Sequence, residues 1–386
     1  MSDIATMTDA AAFVRAQPVA PMPPPHRTSG AIGWLQQNLF SRPLDIALTL
    51  LCILLIVWIA PPLVKFLLID AVWDGASRAD CLPRPDRPEI GACWAFIFNR
   101  INFFTYGFYP IEERWRVDVF FALLAFGIGW MAWLDAPRRD IGAFYFFVVL
   151  PIASVVLLLG FPAIGLTPVS TSQWGGVLVT VVVAAVGIVA SLPLGILLAL
   201  GRRSALPIVR TACVVFIEFW RGVPLITVLF FATYMLPFFL PGNWKIDGLL
   251  RVLIGVVLFA GAYMAEVVRG GLQAMPRGQY EAATALGLGY WRTMGFIILP
   301  QALRLVIPGI VNSFIALFKD TTLVLIVAIF DLLGQLRAAF ADPAWATPVT
   351  LFTGFAFAGM IYFLVSFGMS RYALSMERRL NTARPR

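Results

Sequence analysis

Three short constellations carry almost all the chemistry available to this otherwise apolar chain. The first is Glu281-Ala282-Ala283, then Gly287, then Ile297-Ile298-Leu299-Pro300, in a cationic loop between two membrane-length apolar segments. A short amphipathic helix there would offer Ala282, Ala283, Leu286 and Leu288 to a groove in a soluble partner, with Gly287 allowing a sharp turn. Pro300 ends that segment before the next span. An interfacial helix lying on the membrane surface is the other reading of the same spacing.

The second places Glu218 and Arg221 three residues apart in an apolar segment, followed by Gly222 and Pro224. At helical spacing the two charges neutralise each other, which lowers the cost of burying either. Gly and Pro directly afterwards are expected to break the helix, and broken helices with charged neighbours line transport sites. An ion pair stapling the bundle is the alternative, and Arg210 at the start of the segment allows a position near one membrane face. The third is Lys319-Asp320-Thr321-Thr322 inside an apolar span. Adjacent Lys and Asp point to different sides of a helix, so each needs its own partner. A pathway for a zwitterion needs both signs of charge. Asp320 is the candidate to meet an ammonium group, with Thr321 and Thr322 as neutral donors and acceptors; neutralising another helix, through Glu266 for instance, is the competing role. Glu266 and Arg269, again three apart, read as a structural or transmission pair because they run directly into the loop that carries Glu281. Asp331 and Asp342 read as solvated or helix-capping.

Several chemistries lack material. The only histidine is His26, in a Pro-rich tail, which leaves no His-based triad, metal site or proton shuttle. No G-x-x-x-x-G-K-[ST] loop is present, and no two intramembrane carboxylates stand in register as a dyad. The expectation is a chain without catalytic residues, metal or cofactor of its own.

The elements that position these groups follow from composition. Of 386 residues, 60% are hydrophobic and only 13% charged, with 12 Trp and 32 Phe, which places the chain in lipid. The formal charge of +8 does not indicate nucleic acid, because the cations sit in short loops between apolar runs. Apolar runs of about 20 residues predict eight helices, near 44–69, 117–134, 141–165, 174–200, 212–240, 249–268, 305–330 and 349–371. Counting Lys and Arg in alternate loops puts Arg138, Arg139, Arg202, Arg203, Arg269, Arg277 and Arg292 on the cytoplasmic side, with both termini. The 70–116 loop is then the one long external segment. Its Cys81 and Cys93 can bridge in an oxidising compartment, or remain two free thiols. The expected organisation is a tail at 1–42, a three-helix extension at 43–170, a five-helix core at 171–379 with the coupling loop at 269–304, and a tail at 380–386.

The signatures also carry a resemblance. Phe219-Trp220-Arg221-Gly222-Val223-Pro224-Leu225, the run Tyr263-Met264-Ala265-Glu266-Val267-Val268-Arg269-Gly270-Gly271, the Glu281–Pro300 loop and Lys319-Asp320-Thr321-Thr322-Leu323 make Ser172 to Arg379 resemble the permeases of ATP-driven ABC importers for polar amino acids, the histidine/glutamine type. Upstream, Gly33-Trp34-Leu35-Gln36-Gln37-Asn38-Leu39-Phe40, Tyr106-Gly107-Phe108-Tyr109-Pro110 and Glu113-Arg114-Trp115-Arg116-Val117-Asp118 resemble the long permeases of general L-amino acid importers, most of all the M-type member of the pair. The resemblance implies an all-α integral membrane protein with a type I importer core, in the bacterial inner membrane. It implies that Glu281, Ala282, Ala283, Gly287, Ile297, Leu299 and Pro300 meet a separate ATPase. The implied partners are two copies of that ATPase, which bind ATP and Mg, a periplasmic binding protein, a Q-type permease forming a heterodimer, membrane lipid, and L-amino acids of broad range as substrate. A stand-alone secondary transporter or channel for amino acids and a noncatalytic scaffold are the alternatives; the first has no use for the ATPase-contact loop, the second none for charged, kinked helices.

Overall fold

In a bilayer every backbone N–H and C=O must be satisfied within its own segment, and the apolar runs of this chain answer with helices. The computed structural model describes residues 30–85, 87–133, 136–241 and 246–382. The Pro-rich stretch with His26, and the last four residues, lie outside them. Among the described residues no strand forms; isolated bridges alone occur, such as Gly107 with Trp174 and Gly176 with Asp331. Among the described residues seven helices are long and apolar enough to cross a membrane, and a bent pair makes an eighth candidate.

The chain separates into two compact units, Met1–Ile69 and Asp70–Arg386. The first contains α1 (Gly30–Asn38) and α2 (Pro43–Val64), which runs on through one wider turn to Ile69. Pro43 opens α2 where its missing N–H is harmless, and Ser41 donates to Asp45 at 2.6 Å.

The second unit holds α3 (Trp94–Tyr106), α4 (Arg114–Ala132), α5 (Asp140–Leu159), α6 (Val177–Arg202), α7 (Pro207–Gly222), α8 (Leu225–Phe239), α9 (Gly248–Gln273), α10 (Arg277–Ala285), α11 (Leu299–Leu305), α12 (Ile307–Asp320, continued by a tighter turn Thr321–Val327), α13 (Leu332–Phe340) and α14 (Pro348–Thr382). The segment expected as a plain loop at 70–116 contains α3. Its apolar side, Phe96 and Phe104, is buried against Phe340, Trp345 and Phe357. Cys81 and Cys93 are joined in a disulfide with Cα atoms 5.8 Å apart. The stapled segment is held down by the Arg100–Asp342 ion pair, by Arg78 N–H to the Ala344 carbonyl at 3.0 Å, and by Cys93 N–H to Thr353 Oγ1 at 2.8 Å. Asp342, expected as solvated or capping, is thus an ion-pair partner that also caps Ala344 N–H at 3.0 Å.

The expected single span at 212–240 is broken by 103° between α7 and α8. Pro224 supplies no N–H and forces its predecessor out of the helical region. Val223 accordingly sits extended at φ −105°, ψ 133°. At the crossing of α6 and α9, a Cβ on Gly195 would lie 2.7 Å from Met264 and one on Gly261 2.5 Å from Leu194, so both glycines let the backbones approach. One apolar cluster joins Val117, Phe120 and Leu158 of α4 and α5 to Leu178, Val183, Leu229 and Leu317. A second gathers Leu200, Met264, Leu272, Met294, Ile298 and Ile310 at the end of the bundle that carries the 274–298 loop.

Candidate functional site

The loop after α9 is built around one cap. Leu288 N–H donates to the Ala283 carbonyl at 3.1 Å and Gly287 N–H to the Thr284 carbonyl at 2.9 Å, with Gly287 at φ +71°. This is the Schellman arrangement, and it requires the left-handed backbone that glycine adopts without a Cβ penalty. Nothing lies within 4 Å of where a Gly287 Cβ would be, so the conformation alone demands the glycine. Glu281 and Ala282 are exposed, as are Leu286 (76%), Trp291 (73%) and Phe296 (81%). Ala283, expected on the docking surface, is instead fully buried. Ile297 and Leu299 pack on the second apolar cluster, while Pro300 is exposed. Glu281, Ala282, Leu286, Trp291, Phe296 and Pro300 are thus turned outward, while Ala283 is buried and Ile297 and Leu299 seat the loop on the bundle.

Tyr280 fastens this loop to two spans. Arg203, at the end of α6, lies 5.7 Å from the centre of the Tyr280 ring and donates to its hydroxyl at 3.2 Å, while both Arg203 and Tyr280 donate to the Leu272 carbonyl, at 3.0 and 3.4 Å.

Close to it five charges gather from three helices. Arg202 Nη1 reaches Glu218 Oε1 and Glu266 Oε1, both at 2.8 Å. Arg269 forks onto Glu266 at 2.7–3.1 Å, and Arg221 lies 3.7 Å from Glu266 and 3.9 Å from Glu218. Glu218 and Arg221, candidates for an open pathway, are thus engaged in ion pairs beside the terminus of α6. The site of contact is fixed by Gly201, where an added Cβ would sit 2.3 Å from Cys213 Sγ of α7. Glu266 is held by Arg202, Arg221 and Arg269, so its neutralisation does not fall to Lys319. Arg202 is the member that spacing did not reveal, because its partners lie 16 and 64 residues away.

Farther along the bundle, Asp320 ends α12, about 20 Å from Ile307 at 1.5 Å rise per residue. Its carboxylate is part-buried, and Lys319 is exposed. Thr321, expected as a substrate contact, is buried to 1% exposure and donates back to the Phe318 carbonyl at 2.8 Å; Thr322 does the same to Lys319 at 2.9 Å. That leaves Asp320, part-buried, and Lys319, exposed, as the charged groups of this signature.

Asp331, read as solvated or capping, is wholly buried and caps α13: its carboxylate accepts from Gly334 N–H at 2.9 Å, Leu333 N–H at 3.3 Å and the Tyr362 hydroxyl at 3.1 Å. Burial pushes its carboxyl up from the ordinary value, against the pull of those three donors. Beside it the Thr180 hydroxyl accepts from Leu332 N–H at 3.0 Å and donates to the Gly176 carbonyl at 3.1 Å. Among the described residues no group of three or more His, Cys, Asp or Glu converges as a metal site.

The chain matches the family described as "Binding-protein-dependent transport system inner membrane component" over residues 191–382. It is 49% identical to the inner membrane amino-acid ABC transporter permease protein YhdY of Escherichia coli K12, over 94% of this chain and 97% of that one. It is 42% identical to the glutamate/glutamine/aspartate/asparagine transport system permease protein BztC of Rhodobacter capsulatus, over 95% and 98%. Among solved structures, a chain from the crystal structure of an amino acid ABC transporter with histidines is 26% identical, with a TM-score of 0.46 over 53% of this chain and 92% of its own.

Proposed function

The chain belongs to the amino-acid ABC transporter permeases, multi-span inner membrane components of binding-protein-dependent transport systems, and from that premise we propose that it is the non-catalytic M-type permease of an importer for L-amino acids of broad range. A Q-type permease pairs with it, two copies of a cytoplasmic ATPase bind ATP and Mg, and a periplasmic binding protein delivers the substrate. Both termini face the cytoplasm, a placement that the Lys and Arg distribution supports. In organisation, a three-helix extension at 43–170 precedes a five-helix core at 171–379.

The observation that carries this reading is the loop around α10. An exposed, Schellman-capped helix presents Glu281 and Leu286, and its Tyr280 is tied to the ends of α6 and α9. Such a peg suits a soluble partner's groove. Movement imposed on it passes through Arg203 to α6 and through Leu272 to α9, the two helices that pack together most extensively. The Arg202–Glu218–Arg221–Glu266–Arg269 cluster then acts as the joint that keeps α6, α7 and α9 moving as one body. Access alternates between opposite-facing states as the two permeases rock. Asp320 meets the substrate ammonium, and Lys319 supplies the opposite charge.

Gentle detergent extraction of the tagged chain from its own membrane, followed by mass spectrometry of what stays bound, tests the assignment. Recovery of a second permease-like protein and a soluble ATPase supports it. Isolation of the folded chain alone under several mild detergents favours a stand-alone transporter or channel and overturns it.

A further inference from the structure

Between Asp320 and Asp331 the helix tightens. Thr321–Val327 add seven residues of 3-10 helix directly to the end of α12. Such runs are uncommon beyond about four residues, because their hydrogen bonds are poorer than those of an α-helix, and a long one marks a hinge. The Thr321 and Thr322 hydroxyls donate to the Phe318 and Lys319 carbonyls, the acceptors that the N–H groups of Thr322 and Leu323 would use in a continuous α-helix.

A Schellman cap closes the run. Ile329 N–H donates to the Val324 carbonyl at 3.2 Å and Ala328 N–H to the Leu325 carbonyl at 3.0 Å, with Ala328 at φ +60°. The loop after α9 makes the same pair of bonds around Gly287, which takes the left-handed conformation freely, whereas the Cβ of Ala328 strains it. Beyond the cap the chain is pinned. Gly176 N–H donates to the Phe330 carbonyl at 2.9 Å, Leu332 N–H to the Thr180 hydroxyl at 3.0 Å, and the buried Asp331 carboxylate holds Gly334, Leu333 and Tyr362. Any change of pitch in the run is therefore delivered to its other end, at Asp320. Each residue that passes from the tight form to α geometry turns Asp320 by about 20° about the axis and draws it about 0.5 Å toward Asp331. The whole run amounts to about 140° and about 3.5 Å.

We propose that Thr321–Val327 is a convertible turn, held in the tight form by a cap that Ala328 keeps weak, and that its partial passage to α-helix re-aims Asp320 during transport. The re-aiming rests on the reading of Asp320 as the partner of the substrate ammonium; the conversion does not, and is measured without transport. Because the strain at Ala328 belongs to the tight form, it brings the two forms closer in free energy, and a glycine there favours the tight one.

The test uses the full chain purified with its associated subunits. Thr322 is part-buried and Ile326 exposed, and the double variant Thr322→His, Ile326→His sets two imidazoles four residues apart. They share a face and chelate Cu(II) in an α-helix, but stand about 120° apart in the tight form. Titration with Cu(II), followed by electron paramagnetic resonance, should show binding at least roughly tenfold tighter than to Thr322→His alone. Adding Ala328→Gly should weaken it about fivefold, the lower end of the left-handed penalty now removed from the tight form. Ala328→Gly by itself should keep the melting temperature at or above wild type while amino acid uptake falls about fivefold, and this decides the matter even where the histidine variant fails to assemble. Copper held no tighter than by Thr322→His, or equally well with and without Ala328→Gly, overturns the conversion. Wild-type uptake in Ala328→Gly overturns its role in transport. Copper binding that Ala328→Gly weakens, in a complex that takes up no amino acid, upholds the conversion and counts against the permease reading instead.

Discussion

Arg203 donates to the Tyr280 hydroxyl at 3.2 Å while its guanidinium lies 5.7 Å from the centre of the same ring. One residue closes α6 and the other belongs to α10, so the contact bridges a membrane span and the loop that the account assigns to an ATPase. Tyr280→Phe keeps the ring and loses the hydroxyl; Tyr280→Ala loses both. Each interaction contributes about 1 kcal/mol. Amino acid transported per ATP hydrolysed should fall about fivefold in the first variant, the weight of one such interaction, and further in the second, which loses both. Wild-type stoichiometry in Tyr280→Ala would show that force does not pass through this contact.

Glu266 and Glu218 belong to one charge cluster but differ in exposure, their side chains being 16% and 53% exposed. Removing the better-buried carboxylate leaves Arg202, Arg221 and Arg269 facing one another with only Glu218 between them. Glu266→Gln should cost about 2–3 kcal/mol, below the usual figure for a fully buried pair, and Glu218→Gln about 1 kcal/mol or less. Thermal melting of both variants in one detergent measures the difference. Equal losses would mean the cluster is not centred on Glu266.

Asp331 lies between two spans, and its carboxyl is raised by burial. Its folded pKa exceeds the unfolded one, so its contribution to stability is fully present below the unfolded value of about 3.9 and is lost as pH rises through the folded value. Asp331→Asn keeps an acceptor for the cap and removes the titration. The melting temperature of wild type should fall relative to Asp331→Asn as pH rises from about 4, and become parallel to it above the folded pKa. Asp331→Ala, lacking the cap, should lose about 1–2 kcal/mol at every pH. Parallel curves for wild type and Asp331→Asn throughout would contradict the raised value.

Asp320 is part-buried at the end of α12. Asp320→Asn should therefore leave assembly and melting temperature near wild type while raising the apparent KM for amino acid about tenfold, the weight of one charge-assisted hydrogen bond. Failure of the complex to assemble would instead give Asp320 a structural role.

Much of this architecture was legible because its causes are local. Apolar runs of membrane length produce spans, and Gly222 with Pro224 produces the break between α7 and α8. What escaped was set across the fold. Arg202 meets Glu266 64 residues away, a relationship no spacing within one helix encodes. Ala282 and Ala283 are chemically alike, so only packing decides that Ala283 turns inward. Thr321 has a hydroxyl suited to a substrate, but the Phe318 carbonyl one turn back claims it. The short helix Trp94–Tyr106 fell below membrane length and lay hidden in what read as a loop. Asp331 gave a recognisable capping signal, whereas its burial depends on Tyr362, 31 residues downstream.

Whether force passes through the Glu281 loop is read from amino acid uptake measured together with ATP hydrolysis in proteoliposomes containing the assembled complex with Glu281→Lys. Glu281 is exposed on α10, so the substitution leaves the chain folded and inserted. Uptake should fall roughly tenfold or more, a loss of about 1.4 kcal/mol or more in coupling, with the variant chain present at wild-type level. Wild-type uptake at wild-type ATP cost would contradict it and remove the loop from the path of force.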